Sequence, residues 1–163
     1  MCGRFSLFTA FEEIQERFRI EAAKARWRSS YNIAPSQDVL VVFEDEGSIT
    51  ADNFQWGFVP HWSDKLKMRP LINARAESLA ELPSFAESFA TRRCIIPADG
   101  FFEWKSKGGK KQPYYVNLKT EEVFGFAGLY SVWAHKEEEL KTVTIITTAP
   151  NVVVQPIHDR MPV

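Results

Sequence analysis

The chain has 163 residues, a formal net charge of −1, a hydrophobic fraction of 45% and an aromatic fraction of 13%, which fits one globular domain with a sizeable core. The near-zero charge excludes a globally basic nucleic-acid-binding protein, and two cysteines, Cys2 and Cys94, are too few for a disulfide framework. No apolar run is long enough to span a bilayer and no secretory signal is present, so we expect an intracellular protein with reduced thiols.

One helix and one strand pair are predicted in the first third of the chain. From Thr9 to Phe18 the apolar residues fall on one helical face, and Thr9 with Glu12 matches a capping box. Two antiparallel strands are predicted next, from Val39 to Phe43 and from Ile49 to Trp56. The turn-like sequence from Asp45 to Ser48 would connect them.

A second short helix and a buried strand are predicted near the middle. Ser84 with Glu87 matches another capping box, which would begin a helix that continues through Phe89. Cys94 to Ile96 has the composition of a buried strand, and Pro97 is predicted to end it.

The last third is predicted to consist of strands. The pair Gly108-Gly109 favours a tight hairpin turn, because glycine accepts the positive φ angles that such turns require. The predicted strands are Phe101 to Trp104, Pro113 to Leu118, Val123 to Leu129 and Thr142 to Thr148. Many short strands with few helices indicate an α+β domain with a mostly antiparallel, curved or barrel-like sheet and a few peripheral helices.

Several short clusters combine polar residues with glycine, proline and aromatic residues, a composition that is typical of functional loops rather than of a plain helix face. They are Met1 to Arg4, Tyr31 to Pro35, Trp56 to Trp62, Asn73 to Glu77, Pro97 to Trp104 and Ile157 to Pro162. Candidate reactive residues are therefore sought in these clusters.

Cys2 is the first candidate. If Met1 is removed, as a small second residue commonly permits, Cys2 carries a free α-amine beside its thiol. Such a 1,2-aminothiol condenses with an aldehyde to an imine, on which the thiol closes a five-membered thiazolidine. An α-amine has a pKa of about 7.7–8.0, against roughly 10.4 for lysine, so far more of it is unprotonated at neutral pH. The alternative is an incidental small residue at a terminus.

Two residues are candidates for proton transfer. Glu103 lies between Phe102 and Trp104, and a carboxylate in aromatic surroundings often has a raised pKa. A solvent-facing strand residue is the alternative for Glu103. His158 carries the side chain that most often moves protons near neutral pH, and its alternative is a structural histidine bonded to a backbone carbonyl.

Asn73 and Arg75 alternate along a short segment, so an extended backbone would point both the same way. An asparagine can orient a reacting oxygen, and an arginine can bind a phosphate. The cysteines and histidines show no paired ligand spacing, so neither a metal nor another cofactor is expected. Cys94 is expected to be an inert core thiol.

In this order the clusters resemble the SRAP family, the SOS-response-associated peptidase-like proteins that process abasic sites, across nearly the whole chain. The shared motifs are MCGR, YNIAP, WGFVPHW, NARAE, RRCIIPADGFFEW, FAGLY and IHDRMP. Each motif is short, but seven in order are specific. The resemblance implies a single SRAP-like domain over residues 1–163 that lacks the usual C-terminal part of the family.

The resemblance also implies an activity in the DNA damage response. Cys2 would form a thiazolidine crosslink with the aldehyde of an abasic site in single-stranded DNA, after removal of Met1. Asn73 would hold the sugar, Glu103 would deprotonate the amine, and His158 would move a proton during opening of the sugar ring. An abasic-site lyase activity through the imine and an autoproteolytic removal of the first methionine are further implied activities.

A DNA-binding surface follows from the same resemblance. Its phosphate-binding residues would be Arg4, Arg75 and Arg160, and the residues that line the groove would be Asn32, Pro35, Trp62 and Thr147. Ser63 stands where some family members have a second aromatic residue. The implied partner is single-stranded DNA containing abasic sites, with replication-associated proteins as further candidates and no membrane. The implied location is the cytoplasm, with the nucleoid in a bacterium.

Two other functions remain open at this point. The first is a thiol peptidase, acting on itself or on other chains, that uses Cys2 with Glu103 and His158. The second is a non-catalytic protein that binds single-stranded nucleic acid. An aldehyde-bearing oligonucleotide distinguishes a crosslinking protein from a non-catalytic binder, because only the crosslinking protein gives a heat-stable adduct with it. Turnover of a peptide substrate would favour the peptidase.

Overall fold

The computed structural model describes residues 2–64, 69–135 and 137–163. Its elements in chain order are β1 (Arg4–Leu7), α1 (Phe11–Phe18), β2 (Ala22–Ala23), β3 (Ser30–Ile33), β4 (Asp38–Asp45), β5 (Ser48–Trp56), β6 (Asn73–Arg75), a 3-10 helix (Ala76–Ser78), α2 (Ala86–Thr91), β7 (Arg93–Ala98), β8 (Gly100–Lys107), β9 (Lys110–Val116), β10 (Phe124–His135), β11 (Glu138–Thr148) and β12 (Met161–Pro162). The predicted α+β class, with a mostly antiparallel barrel-like sheet and few helices, is confirmed.

Five strands close into a barrel. β4 pairs antiparallel with β5, β10 pairs antiparallel with both β7 and β11, and β7 meets β4 at Ile95 and Val42. The ring closes where β11 runs parallel to β5, with Val143 opposite Trp56. Closure protects the strand edges, and alternate side chains of these apolar strands point into the barrel core.

A second sheet, in the order β3-β1-β8-β9, places the start of the chain next to the barrel. β1 lies antiparallel between β3 and β8, with Arg4 opposite Phe102. Phe5 points inward and packs edge-on against Trp56 and Phe126, with ring centroids 5.3 and 5.6 Å away. This packing fixes the position of Cys2, two residues before β1.

Both hairpin turns that the sequence indicates are present. Gly108 and Gly109 have φ angles of 56° and 78°, and they connect β8 to β9. Between β4 and β5, Glu46 and Gly47 have φ angles of 51° and 86°. Positive φ at both central residues gives the turn the twist that the flanking strands require.

The two capping-box predictions are wrong. α1 begins after Ala10, and the Thr9 hydroxyl donates to Asp99, whose carboxylate also accepts the Thr9 backbone N–H at 3.0 Å. α2 begins after Phe85 without a side-chain cap, and Glu87 pairs instead with Arg92 at 2.8 Å. In both cases a side chain of the capping-box motif, Thr9 or Glu87, bonds to a residue outside that four-residue motif.

The prediction that Pro97 ends a strand is also wrong, because β7 continues through it to Ala98. Pro97 lies opposite Gly125 on β10, whereas the pairing with β4 is confined to Ile95. A strand with one unpaired side tolerates a residue that lacks a backbone N–H. Neither of the two α-helices in the described residues has the length and apolar composition needed to cross a bilayer.

Candidate functional site

Four candidate residues from distant parts of the chain meet at the start of β1. Asn73, on β6, donates from Nδ2 to the carbonyl oxygen of Cys2 at 3.0 Å. Oε2 of Glu103, on β8, lies 3.8 Å from Nε2 of His158. The charge of Glu103 also acts on the Cys2 thiol. These three relations place a thiol, an amide, a carboxylate and an imidazole in one site.

The Cys2 thiol lies in a buried environment. Its side chain is fully buried, and Sγ lies 3.8 Å from the backbone oxygen of Arg4. Burial, and next the nearby Glu103 carboxylate, raise the pKa of the Cys2 thiol to about 12. The thiol is therefore protonated at neutral pH, and the site does not hold a resting thiolate nucleophile.

This environment predicts slow alkylation of Cys2. At pH 7 the raised pKa leaves so little thiolate that iodoacetamide should react about 10³-fold more slowly than with a peptide thiol of pKa about 8.5. The rate should increase about tenfold per pH unit, since the thiolate fraction does. Labelling followed by intact mass measures this rate, with the denatured chain as the control. Alkylation of Cys2 at the rate of a peptide thiol would contradict the described environment.

The buried Glu103 and the partly buried His158 form a carboxylate–imidazole pair. Glu103 is 2% exposed, so the solvent-facing alternative does not hold in this structure. The backbone N–H of Arg160 donates to Nδ1 of His158 at 3.0 Å, so in the neutral ring the proton is on Nε2, which faces Glu103. Asp159 also lies 2.9 Å from Nδ1, but it can bond there only when Nδ1 is protonated. We therefore assign the Nε2–H form to the neutral ring.

The amide nitrogen of Asn73 is engaged, and its amide oxygen is available. Its Nδ2 holds the Cys2 carbonyl, whereas its Oδ1 is buried and has no hydrogen-bond partner within residues 2–64, 69–135 and 137–163. A buried acceptor left without a donor is unfavourable by about 1–3 kcal/mol, so a substrate hydroxyl at this point would be bound favourably. The segment from Asn73 to Arg75 is extended and forms β6.

The residues predicted to bind phosphates or to line a DNA groove are not equally accessible. Arg4 Nη1 donates to Oδ1 of the exposed Asn32 at 2.8 Å. Pro35 is partly buried, Arg75 is exposed and Trp62 is 58% exposed. Thr147 is fully buried and its hydroxyl donates to the Ala74 carbonyl at 3.4 Å, so its side chain does not reach the surface in this conformation.

Arg160 is held by an acid that the sequence analysis does not single out. Its Nη1 and Nη2 donate to the two carboxylate oxygens of Glu77 at 2.7 and 2.9 Å, and Nη2 also donates to the Thr147 carbonyl at 2.6 Å. Glu77 belongs to the motif that contains Asn73 and Arg75, and this shared position is the only indication of its importance in the sequence. The described residues contain no group of three His, Cys, Asp or Glu that could hold a metal ion.

Three comparisons with known proteins show what this chain is similar to. The family model described as "SOS response associated peptidase (SRAP)" matches residues 1–163. "Abasic site processing protein YoqW" of Bacillus subtilis is 46% identical over 168 residues, covering 100% of this chain and 75% of the relative. "Abasic site processing protein YedK" of Escherichia coli is 33% identical over 170 residues, covering 99% and 74%. A crystal structure of a protein from Bacteroides thetaiotaomicron superposes with a TM-score of 0.88 at 29% identity, covering 99% and 75%.

Proposed function

Because this chain belongs to the SRAP family, we propose that it recognises abasic sites in single-stranded DNA and forms a covalent crosslink with them through Cys2. The observation that carries the proposal is the meeting of Cys2, Asn73 and the Glu103–His158 pair in one site. An abasic deoxyribose presents an aldehyde in its open form, and in single-stranded DNA no unpairing energy opposes access to it. The crosslink would protect the lesion during the DNA damage response.

The first chemical step uses the α-amine of Cys2. Met1 lies outside the described residues, and its removal would free this amine beside the Cys2 thiol. The amine attacks the C1′ aldehyde carbon, and one water leaves as the imine forms. Glu103 accepts a proton from the attacking nitrogen, and His158 transfers a proton at the sugar oxygen during ring opening. Asn73 Oδ1 supports this step because it can accept a hydrogen bond from a sugar hydroxyl.

The second step uses the thiol. Sγ of Cys2 adds to the imine carbon, its proton passes to the imine nitrogen, and the thiazolidine ring closes without loss of further atoms. Because burial keeps the thiol neutral, a base must accept its proton during the attack, and the proposed base is Glu103, whose charge acts on this thiol. The two reactive groups of Cys2 therefore act in sequence, the amine before the thiol.

Strand cleavage competes with ring closure at the imine stage. Loss of the C2′ proton from the imine breaks the C3′–O3′ bond, which is an abasic-site lyase reaction. Closing the thiazolidine removes the imine and so ends this competition. A thiol peptidase is a weaker candidate, since such an enzyme requires a thiolate and the pKa of Cys2 is raised.

The test compares two single-stranded oligonucleotides. One carries a natural abasic site, and the other carries a tetrahydrofuran analogue that has the same shape but no aldehyde. The proposal predicts a heat-stable adduct on a denaturing gel with the natural site alone. A non-catalytic binder would retain both oligonucleotides on a native gel and give no adduct with either, and that result would overturn the proposal.

Arg75→Ala is expected to weaken binding to single-stranded DNA with little regard to base sequence. Arg75 is exposed on β6, two residues after Asn73, and exposure leaves its guanidinium available to a phosphate. Loss of one phosphate contact should flatten the log–log salt dependence of binding by roughly 0.7. The measurement is a salt titration with the tetrahydrofuran oligonucleotide. The control is Arg17→Ala, which removes the same charge from α1, where Arg17 pairs with Glu122. An equal slope of the salt dependence for both variants would show that Arg75 does not bind a phosphate.

A further inference from the structure

We propose that Glu77 is a positioning residue that holds His158 in place through Arg160. This inference rests on the proposed function, because the step that His158 assists is part of it. Glu77 lies in the 3-10 helix directly after β6, whereas His158 and Arg160 lie between β11 and β12. The pair therefore connects two segments that carry different groups of the site.

The contacts run without interruption from Glu77 to His158. Glu77 binds both terminal nitrogens of Arg160, and this two-point geometry fixes the plane of the guanidinium. The Thr147 carbonyl holds the same guanidinium from β11. The backbone N–H of Arg160 in turn donates to Nδ1 of His158, which directs Nε2 toward Glu103. Displacement of Arg160 would therefore disturb both the tautomer and the orientation of the imidazole.

The protonation state of Glu77 agrees with this role. The hydrogen bond from Arg160 is the main cause that lowers the pKa of Glu77 to about 2. Glu77 is consequently ionised throughout the pH range in which the α-amine of Cys2 can react. The Arg160 side chain is 14% exposed, so the pair is more sheltered than a typical surface ion pair, although Glu77 itself is 54% exposed.

The pairing also separates two possible roles of Arg160. If Arg160 served mainly as a phosphate ligand, removal of the Glu77 charge would free its guanidinium and strengthen DNA binding without slowing the reaction. If Glu77 positions His158, the same change slows the reaction within the bound complex. The rate at saturating DNA and the dissociation constant therefore report different roles.

The experiment uses Glu77→Gln, which keeps the size of the side chain and removes its charge. We expect the single-turnover rate of adduct formation at saturating abasic DNA to fall by about 10- to 100-fold. A catalytic group that is misplaced by up to about 1 Å commonly reduces the rate by this much. Binding of the tetrahydrofuran oligonucleotide should be unchanged or tighter. Glu81→Gln makes the same charge change four residues later at an exposed position, and its rate should equal that of the wild-type protein.

A second readout needs no DNA. The 15N NMR signals of the His158 ring in the free protein should show the Nε2–H form in the wild type and a tautomer mixture in Glu77→Gln. Glu77→Asp keeps the charge and should recover part of the rate. An unchanged rate or unchanged ring signals in a folded Glu77→Gln variant would overturn the inference. If the wild-type protein formed no adduct, the proposed function would fail, whereas the ring signals would still decide whether Glu77 positions His158.

Discussion

Blocking the α-amine of Cys2 is expected to abolish both the imine and the stable adduct. Retention of Met1, or addition of one residue before Cys2, converts the amine to an amide, which does not condense with an aldehyde. The thiol alone cannot replace it, because burial raises its pKa to about 12 and leaves it protonated at neutral pH. The loss should reach the detection limit of a denaturing gel with abasic single-stranded DNA.

Cys2→Ser separates the thiol from the amine and is the matched variant for this experiment. It keeps the amine and replaces sulfur with a much weaker nucleophile. The stable adduct should disappear, while an imine that borohydride can trap and some cleavage at the abasic site remain. If the protein were a thiol peptidase, the effects on cleavage of an external peptide would be the opposite. The amine-blocked protein would keep its activity because its thiol is intact, whereas Cys2→Ser would be inactive. Equal crosslinking by the amine-blocked and mature proteins would show that the amine does not act first.

Glu103→Gln is expected to slow adduct formation by about 10²- to 10⁴-fold, the usual range for loss of a general acid–base group. Glutamine keeps the size and hydrogen bonding of the side chain but cannot accept a proton from the Cys2 amine or thiol. Rates are measured by quenching single-turnover reactions and separating adduct from free DNA. His158→Ala should slow the reaction less than Glu103→Gln, because water can replace a proton shuttle more readily than a buried base.

The control for Glu103→Gln is Glu122→Gln, which removes one charge at a half-exposed position outside the site. Thermal unfolding verifies that both variants are folded. Glu103 is 2% exposed, so glutamine at this position removes a buried charge. The melting temperature of Glu103→Gln should therefore not be strongly lowered. A wild-type rate in folded Glu103→Gln would show that Glu103 is structural and that another base acts on Cys2.

The strands and their turns could be predicted from the sequence because their patterns are local. Gly108 and Gly109 supply the positive φ angles of a tight turn at a position that the sequence alone identifies. Closure of the barrel depends on a parallel contact between β5 and β11, which lie more than eighty residues apart. No periodicity within either strand contains that information. The predicted cap of α1 fails for the same reason, since Thr9 bonds to Asp99 ninety residues away.

The sequence singles out the proposed reactive residues of the candidate site more readily than the residues that support them. Cys2 and Glu103 stand out by their chemistry and by the motifs around them. Glu77 does not, because an acid after a short strand is indistinguishable from a solvated surface residue until Arg160 is placed against it. Thr147 is the opposite case, because the sequence singles it out as lining the groove and the structure buries it fully. Its hydroxyl oxygen accepts a hydrogen bond from Arg160 there.

Intact mass spectrometry of the protein mixed with abasic single-stranded DNA decides whether Cys2 forms the crosslink through its free amine. We expect a protein without Met1 and a covalent species whose mass is the sum of protein and DNA minus one water. Because the thiazolidine is not an imine, that mass should persist after heating and should not increase by two hydrogens with borohydride. A protein that keeps Met1 and yet forms the adduct, or a mature protein that forms none, would contradict the proposed chemistry of Cys2.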